Sequence, residues 1–128
     1  VELNQYQNFV KYTTSAESKG LSEFIERIVT LNVNVPLLLT ASVGLASESG
    51  EFSEIVKKII FQGKEYNADV HYHMLRELGD ICWYLANAAN ALSVNLEEIV
   101  KMNVEKLQAR YPEGFDVARS ENRAKGDL

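Results

Sequence analysis

The sequence predicts an all-α fold, a helical bundle of about four main helices, and three observations carry that expectation. Apolar residues recur at helical spacing through most of the 128 residues. No run alternates with a period of two, and the short β-branched clusters, Ile28 to Thr30 and Val33 to Val35, stand beside helix signals. Helix starts and stops punctuate the chain at Ser22, Asn34-Val35-Pro36, Gly63, Asp69, Asn95 and Pro112.

Taken in order, Leu3, Tyr6, Phe9 and Val10 mark a first amphipathic segment to about Thr14, which stops before Ser15 to Gly20. Ser22 is placed to cap a second, shorter segment carrying Phe24, Ile25, Ile28 and Val29. Asn34 followed by Pro36 opens a long helix, since proline fits the first turn, and Gly63 is placed to end it. Asp69 is expected to cap the next helix, which runs to about Leu92. Asn95 with Glu98 three residues on has the form of a capping box and opens a last helix to about Tyr111, ended by Pro112-Glu-Gly114. From Ser120 the chain is polar and is expected to fray or to drape on a neighbour.

Length and composition bound the class. The chain reads as one domain over 1–128, long enough for a core, with 46% hydrophobic and 24% charged residues. A net charge of −5 argues against general nucleic-acid binding, because no basic field attracts a phosphate backbone. The one cysteine, Cys82, lies in an apolar run and forms no disulfide framework, which fits a reducing, cytoplasmic setting. Neither a signal peptide nor an apolar run of roughly 18 residues is visible, so no membrane partner is expected.

Two acidic pairs carry the chemistry. Glu48 and Glu51, then Glu77 and Asp80, are each spaced i, i+3, which sets two acids on one helix face. On the first long helix Leu38, Leu45, Phe52 and Ile59 repeat every seven residues, as do Ala41, Glu48 and Ile55, so Glu48 falls in a bundle seam. On the second, Met74, Leu78, Ile81, Leu85 and Leu92 are expected to be buried, with Glu77 and Asp80 at the margin of that stripe. The alternative is solvated acids paired within their own helices. Glu54 fits it, with Lys57 and Lys58 at i+3 and i+4, and Asp80 has Arg76 at i−4; Glu48, Glu51 and Glu77 have no such lysine or arginine. Acids sharing an apolar space stay ionised only with positive charge between them, and a hard cation, Mg²⁺ or else Mn²⁺, suits an all-carboxylate set.

Other sites fit less well. His71 and His73 lack the glutamate at i−3 of a di-iron Glu-x-x-His motif, and two histidines with one cysteine are few for zinc. Asn103, Lys106 and Arg110 share one face of the last helix and form either a phosphate clamp or an ordinary solvated basic face. Lys57, Lys58 and Lys64 are weaker candidates. Tyr6, Phe9, Trp83 and Tyr84 are suited to stacking on a base, although aromatics at this spacing usually belong to the core. Ser47 and Ser49 have no base nearby in sequence, which argues against a hydroxyl nucleophile.

The ordered set SVGLASESGEFSEIVKK, RELGDICWYLAN and NVEKLQARYPEGF resembles the MazG-like all-α nucleoside triphosphate pyrophosphohydrolases, whose signature is ExxE, a spacer and ExxD. Here the spacer between Glu51 and Glu77 is 25 residues, and the resemblance covers about 37–115, leaving the polar stretch 120–128 outside it. The opening LNQYQNFV and closing SENRAKGDL look most like the small single-domain MazG proteins of cyanobacterial viruses. The resemblance implies Mg²⁺ ligands at Glu48, Glu51, Glu77 and Asp80, a triphosphate-binding pair at Lys106 and Arg110, and a polar substrate contact at Asn103. It implies hydrolysis of a nucleoside triphosphate to the monophosphate and pyrophosphate, in a homodimer or a tetramer of two dimers. Glu51 is the residue assigned to take the proton from water. One departure is Ser47, where many relatives carry glutamate. Alternatives within and beyond this reading are a dUTPase- or dCTPase-like enzyme of narrow base choice, a member that binds nucleotide without turnover, and a helical interaction module.

Overall fold

The structure, a computed structural model, describes residues 2–128. Among them the chain forms α1 (Leu3–Thr13), α2 (Ala16–Lys19), α3 (Leu21–Val29), α4 (Val35–Phe61), α5 (Ala68–Ala91), α6 (Leu96–Arg110) and α7 (Val117–Glu121), with no strand. The all-α expectation holds. The chain divides at Val35 and Pro36 into two compact units.

The first unit holds α1 to α3. Thr13 and Thr14 end α1 by returning their hydroxyls to the carbonyls of Phe9 and Val10, at 3.0 and 2.6 Å. The stretch expected to be a simple break contains α2, capped by Ser15, whose hydroxyl accepts the Ser18 N–H at 3.3 Å. Lys19 donates to the Lys11 carbonyl at 3.0 Å and ties α2 back to α1. Ser22 is not the cap of the following helix. Gly20 holds that position without a side-chain bond, because α3 already begins at Leu21.

The second unit carries α4 to α7. Helix α4 starts at the Asn34-Val35-Pro36 signal and closes at Gly63, whose φ of 67° is the left-handed region glycine enters without a Cβ penalty. That reversal lets Lys64 donate to the Lys58 carbonyl at 3.1 Å. Asn67, not Asp69, caps α5, accepting the Val70 N–H at 3.0 Å. Asp69 instead lies in the first turn, where its charge favours the positive end of the helix. Helix α5 ends in a Schellman turn: Ser93 at φ 56° donates to Asn90 and Val94 donates to Ala89, at 3.1 and 3.0 Å. Asn95 stands at the N-cap of α6 but makes no side-chain cap bond, so the capping box is not formed. The polar stretch is not wholly irregular either, since Asp116 caps α7 by accepting the Arg119 N–H at 2.9 Å.

On α4 the buried positions Ala41, Gly44 and Ile55, with half-buried Leu38, Leu45, Glu48, Phe52 and Ile59, reproduce the expected seam. The α5 stripe is rotated from the expected one. Val70, Glu77, Ala89 and Ala91 are buried, and Met74, Ile81 and Tyr84 half-buried, whereas Leu78, Leu85 and Leu92 are exposed. Glu77 is thus at the centre of the stripe and not at its margin. The helices approach closely at Gly44, where an added Cβ would collide with the Tyr84 ring. Trp83 stands edge-on to Tyr84 with centroids 5.0 Å apart, and its own ring is exposed. Tyr6 and Phe9 are exposed as well, so three of the aromatics expected in a core are at the surface.

Candidate metal centre

Helices α4 and α5 run antiparallel through this region, since Gly44 faces Tyr84 and Glu48 faces Glu77. Glu48, Glu51 and Glu77 each place one carboxylate oxygen within 4.8 Å of the others. Glu77 is 6% exposed, Glu48 half-buried and Glu51 exposed. Asp80, the fourth expected ligand, is exposed and stands outside that group of three, although its charge acts on Glu48. No ion pair joins Asp80 to Arg76 among the described residues; Arg76 lies over the Tyr72 ring, 5.9 Å from its centroid.

Crowding of like charge shifts the proton affinities of these acids. The Glu48 carboxyl is pushed up to about 7 by sharing a proton with Glu77, then by burial, and then by the charges of Glu51, Glu77 and Asp80. Glu77 is held below its ordinary value, first by that same proton on Glu48, with burial opposing and His73 adding to the effect. His73 Nε2 lies 3.1 Å from Glu77 Oε1. The i, i+4 spacing of His73 and Glu77 is the signal for this pair that the sequence carries.

The arrangement fits a divalent cation on one observation. Glu48 Oε2 and Glu77 Oε2 are both buried and neither has a hydrogen-bond partner. Two orphaned carboxylate oxygens in one cluster are costly unless a proton or a cation joins them. An all-oxygen donor set of this kind suits Mg²⁺ or Mn²⁺ better than zinc.

The expected phosphate-binding residues lie elsewhere on the same unit. Asn103, Lys106 and Arg110 all line one cavity of about 790 Å³, as their spacing predicts, and none of the four acids lines it. Arg110 is engaged: Nε donates to Asp127 Oδ2 at 2.9 Å and Nη2 to Oδ1 at 2.6 Å. Arg119 and Arg123 line the same cavity and were missed in the sequence, although they are spaced i, i+4. Lys57 and Lys58 pair with Glu54 at 3.0 and 3.7 Å, an ordinary surface arrangement.

A protein-family model, the MazG nucleotide pyrophosphohydrolase domain, matches residues 38–115, more than half of the chain. The chain belongs to the MazG family. The matched span runs from early α4 to just beyond α6 and takes in both acidic pairs and the Asn103 face. A phage relative, the Gene 37 protein of Mycobacterium phage L5, is 36% identical over 83 residues, which is 64% of this chain and 73% of that protein. No solved structure matches the chain. The family model is that of a nucleotide pyrophosphohydrolase domain, and it agrees with the all-helical fold. Among the described residues no helix is long and apolar enough to cross a membrane.

Proposed function

We propose that this MazG protein hydrolyses nucleoside or deoxynucleoside triphosphates to the monophosphate and pyrophosphate, using Mg²⁺, with Mn²⁺ as a substitute. The observation that carries this reading is the pair of buried, unpartnered oxygens on Glu48 and Glu77, in a family whose members act on nucleotide anhydrides. Glu48, Glu51, Glu77 and Asp80 would hold the cation. When bound it would draw phosphate oxygens and acidify a nearby water.

The chain's own groups supply the rest. His73 fixes the Glu77 carboxylate by its hydrogen bond to Oε1 and leaves Oε2 without a partner. Glu51 is the most accessible of the clustered acids. That exposure suits it to take the proton of the attacking water, a role that requires reach to solvent. Lys106 and Arg110 would offset negative charge on the departing phosphates, and Asn103 would donate an amide N–H to the substrate. Exposed Leu78, Trp83, Leu85, Val100 and Met102 support a homodimer or a tetramer of two dimers. A phage relative supports action in the cytoplasm of an infected host.

The test is release of monophosphate and pyrophosphate from a panel of NTPs and dNTPs, with Mg²⁺ and with EDTA. Metal-dependent release is expected, and Glu48→Gln should lower it by about 100-fold or more, since even outer-shell changes at metal sites cost about 10- to 100-fold. Absence of turnover with every nucleotide would overturn the reading.

A further inference from the structure

The Arg110–Asp127 pair is a bidentate fork joining α6 to a residue 17 positions away. The Arg110 and Asp127 side chains are 8% and 16% exposed. A guanidinium presents the same fork to carboxylates and to phosphates. Asp127 therefore sits on Arg110 as a phosphate oxygen pair would.

We propose that Asp127 is an internal stand-in for a phosphate group in the cavity between α6 and the segment 117–128, and that a nucleotide's phosphate chain binds there by displacing it, with Arg119 and Arg123 completing the clamp. This rests on the phosphate role given above to Lys106 and Arg110.

Three further observations support it. The cavity, at about 790 Å³, is in the range that admits small ligands. Its lining includes four cations, Lys106, Arg110, Arg119 and Arg123, against one acid, Asp127, in a chain whose net charge is −5. Among the described residues Lys106, Arg119 and Arg123 make no ion pair within 4 Å, although Lys106 and Arg123 add to the field that, with Arg110 foremost, holds Asp127 below its ordinary range. One carboxylate thus leaves most of the positive charge unmet, and a chain of phosphates would meet it. The segment is also lightly held. Its backbone bonds, Asn122 to Ala118 at 2.8 Å and Asp127 to Ala124 at 3.0 Å, are local, and Gly126 next to Asp127 turns at φ 88°. Release of Asp127 therefore breaks the fork and little else.

A purely structural fork and a displaceable one predict opposite results when the acid is removed. A structural fork shapes the cavity, so its loss weakens anion binding. A competing carboxylate reduces apparent affinity by the fraction of time it occupies the site, so its loss strengthens binding.

The experiment is calorimetric titration of the full chain with inorganic tripolyphosphate, and separately with an α,β-methylene nucleoside triphosphate, in metal-free buffer that leaves the acidic cluster out of the measurement. Asp127→Asn should bind both ligands about fivefold tighter than the unmodified chain, and Arg119→Gln and Arg123→Gln should each bind them more weakly. Unchanged or weaker binding by Asp127→Asn, or no binding by any form, would overturn the proposal. A gain with tripolyphosphate alone would overturn the nucleotide as its ligand. Should Asp127→Asn lose its helical circular dichroism, the same comparison is made with Asp127→Ser. Failure of the hydrolysis reading appears separately, as absence of metal-dependent turnover.

Discussion

Glu48, crowded by Glu77 and the neighbouring acids, holds its proton more tightly than an ordinary glutamate, and that sets the sign of a pH dependence. In the unfolded chain Glu48 ionises near 4.5, whereas in the fold it does so near 7. Between those values the folded state binds the extra proton, so Glu48 contributes stability at the acid end that is lost as pH rises through the window. Glu77, shifted downward, acts oppositely and below that window: its contribution is lost as pH falls through its folded value. The melting temperature of EDTA-treated protein should therefore fall as pH rises from 4.5 to about 7. Saturating Mg²⁺ should flatten or reverse the slope, since a cation binds the deprotonated pair. Glu48→Gln should remove most of the slope and raise the melting temperature of the metal-free protein at the alkaline end. A melting temperature that climbs across the same window without metal would contradict the raised Glu48 carboxyl. Of this cluster, the sequence makes Glu48, Glu51 and Glu77 legible as candidates because helical spacing turns i, i+3 into a shared face, whereas Asp80, picked out by the same spacing, stands outside the group of three. It does not make the depth of Glu77 legible, and the Arg110–Asp127 fork joins residues that no local pattern relates.

Helix α4 crosses α5 where glycine leaves room for a tyrosine, and that sets a contrast between identical substitutions. Gly→Ala in a helix interior stabilises by about 1 kcal/mol when nothing opposes the new methyl. At Gly50 and Gly79 no packed neighbour comes within 4 Å of the place an alanine methyl would take, so Gly50→Ala and Gly79→Ala should gain on that order. At Gly44 the methyl enters the Tyr84 ring, and Gly44→Ala should cost about 1–3 kcal/mol through overpacking. Urea denaturation of the three variants checks this, and equal shifts in all three would refute the close crossing. Element by element, the long helices were readable because α4 is bounded by a proline start and a glycine stop. The face of α5 was not. Its buried stripe is built from Val70, Glu77, Ala89 and Ala91, small or charged residues, while the leucines that hydrophobicity would bury face outward. Asn67 and Asp69 are both good caps, and only the path of the chain decides between them.

At the scale of the whole molecule, the buried apolar residues are few and mostly alanine: Ala41, Ile55, Val70, Ala89 and Ala91 among those described. Leu75, Leu78, Leu85, Leu92, Val100 and Met102 remain exposed on α5 and α6. Such surface is stable in water when another copy covers it. Size-exclusion chromatography with light scattering should return a multiple of 14.4 kDa, and a mass of 14.4 kDa at micromolar concentration would overturn the oligomer. Leu85→Glu should shift that equilibrium toward the single chain. The exposed indole of Trp83 has one more consequence. It is the chain's only tryptophan, and it lies edge-on to the ring that fills the space at Gly44. Its fluorescence therefore reports on one place alone: emission moves to the blue when that face of α5 is covered, and its intensity follows any shift of Tyr84, so the protein carries a native optical probe for whatever covers that face.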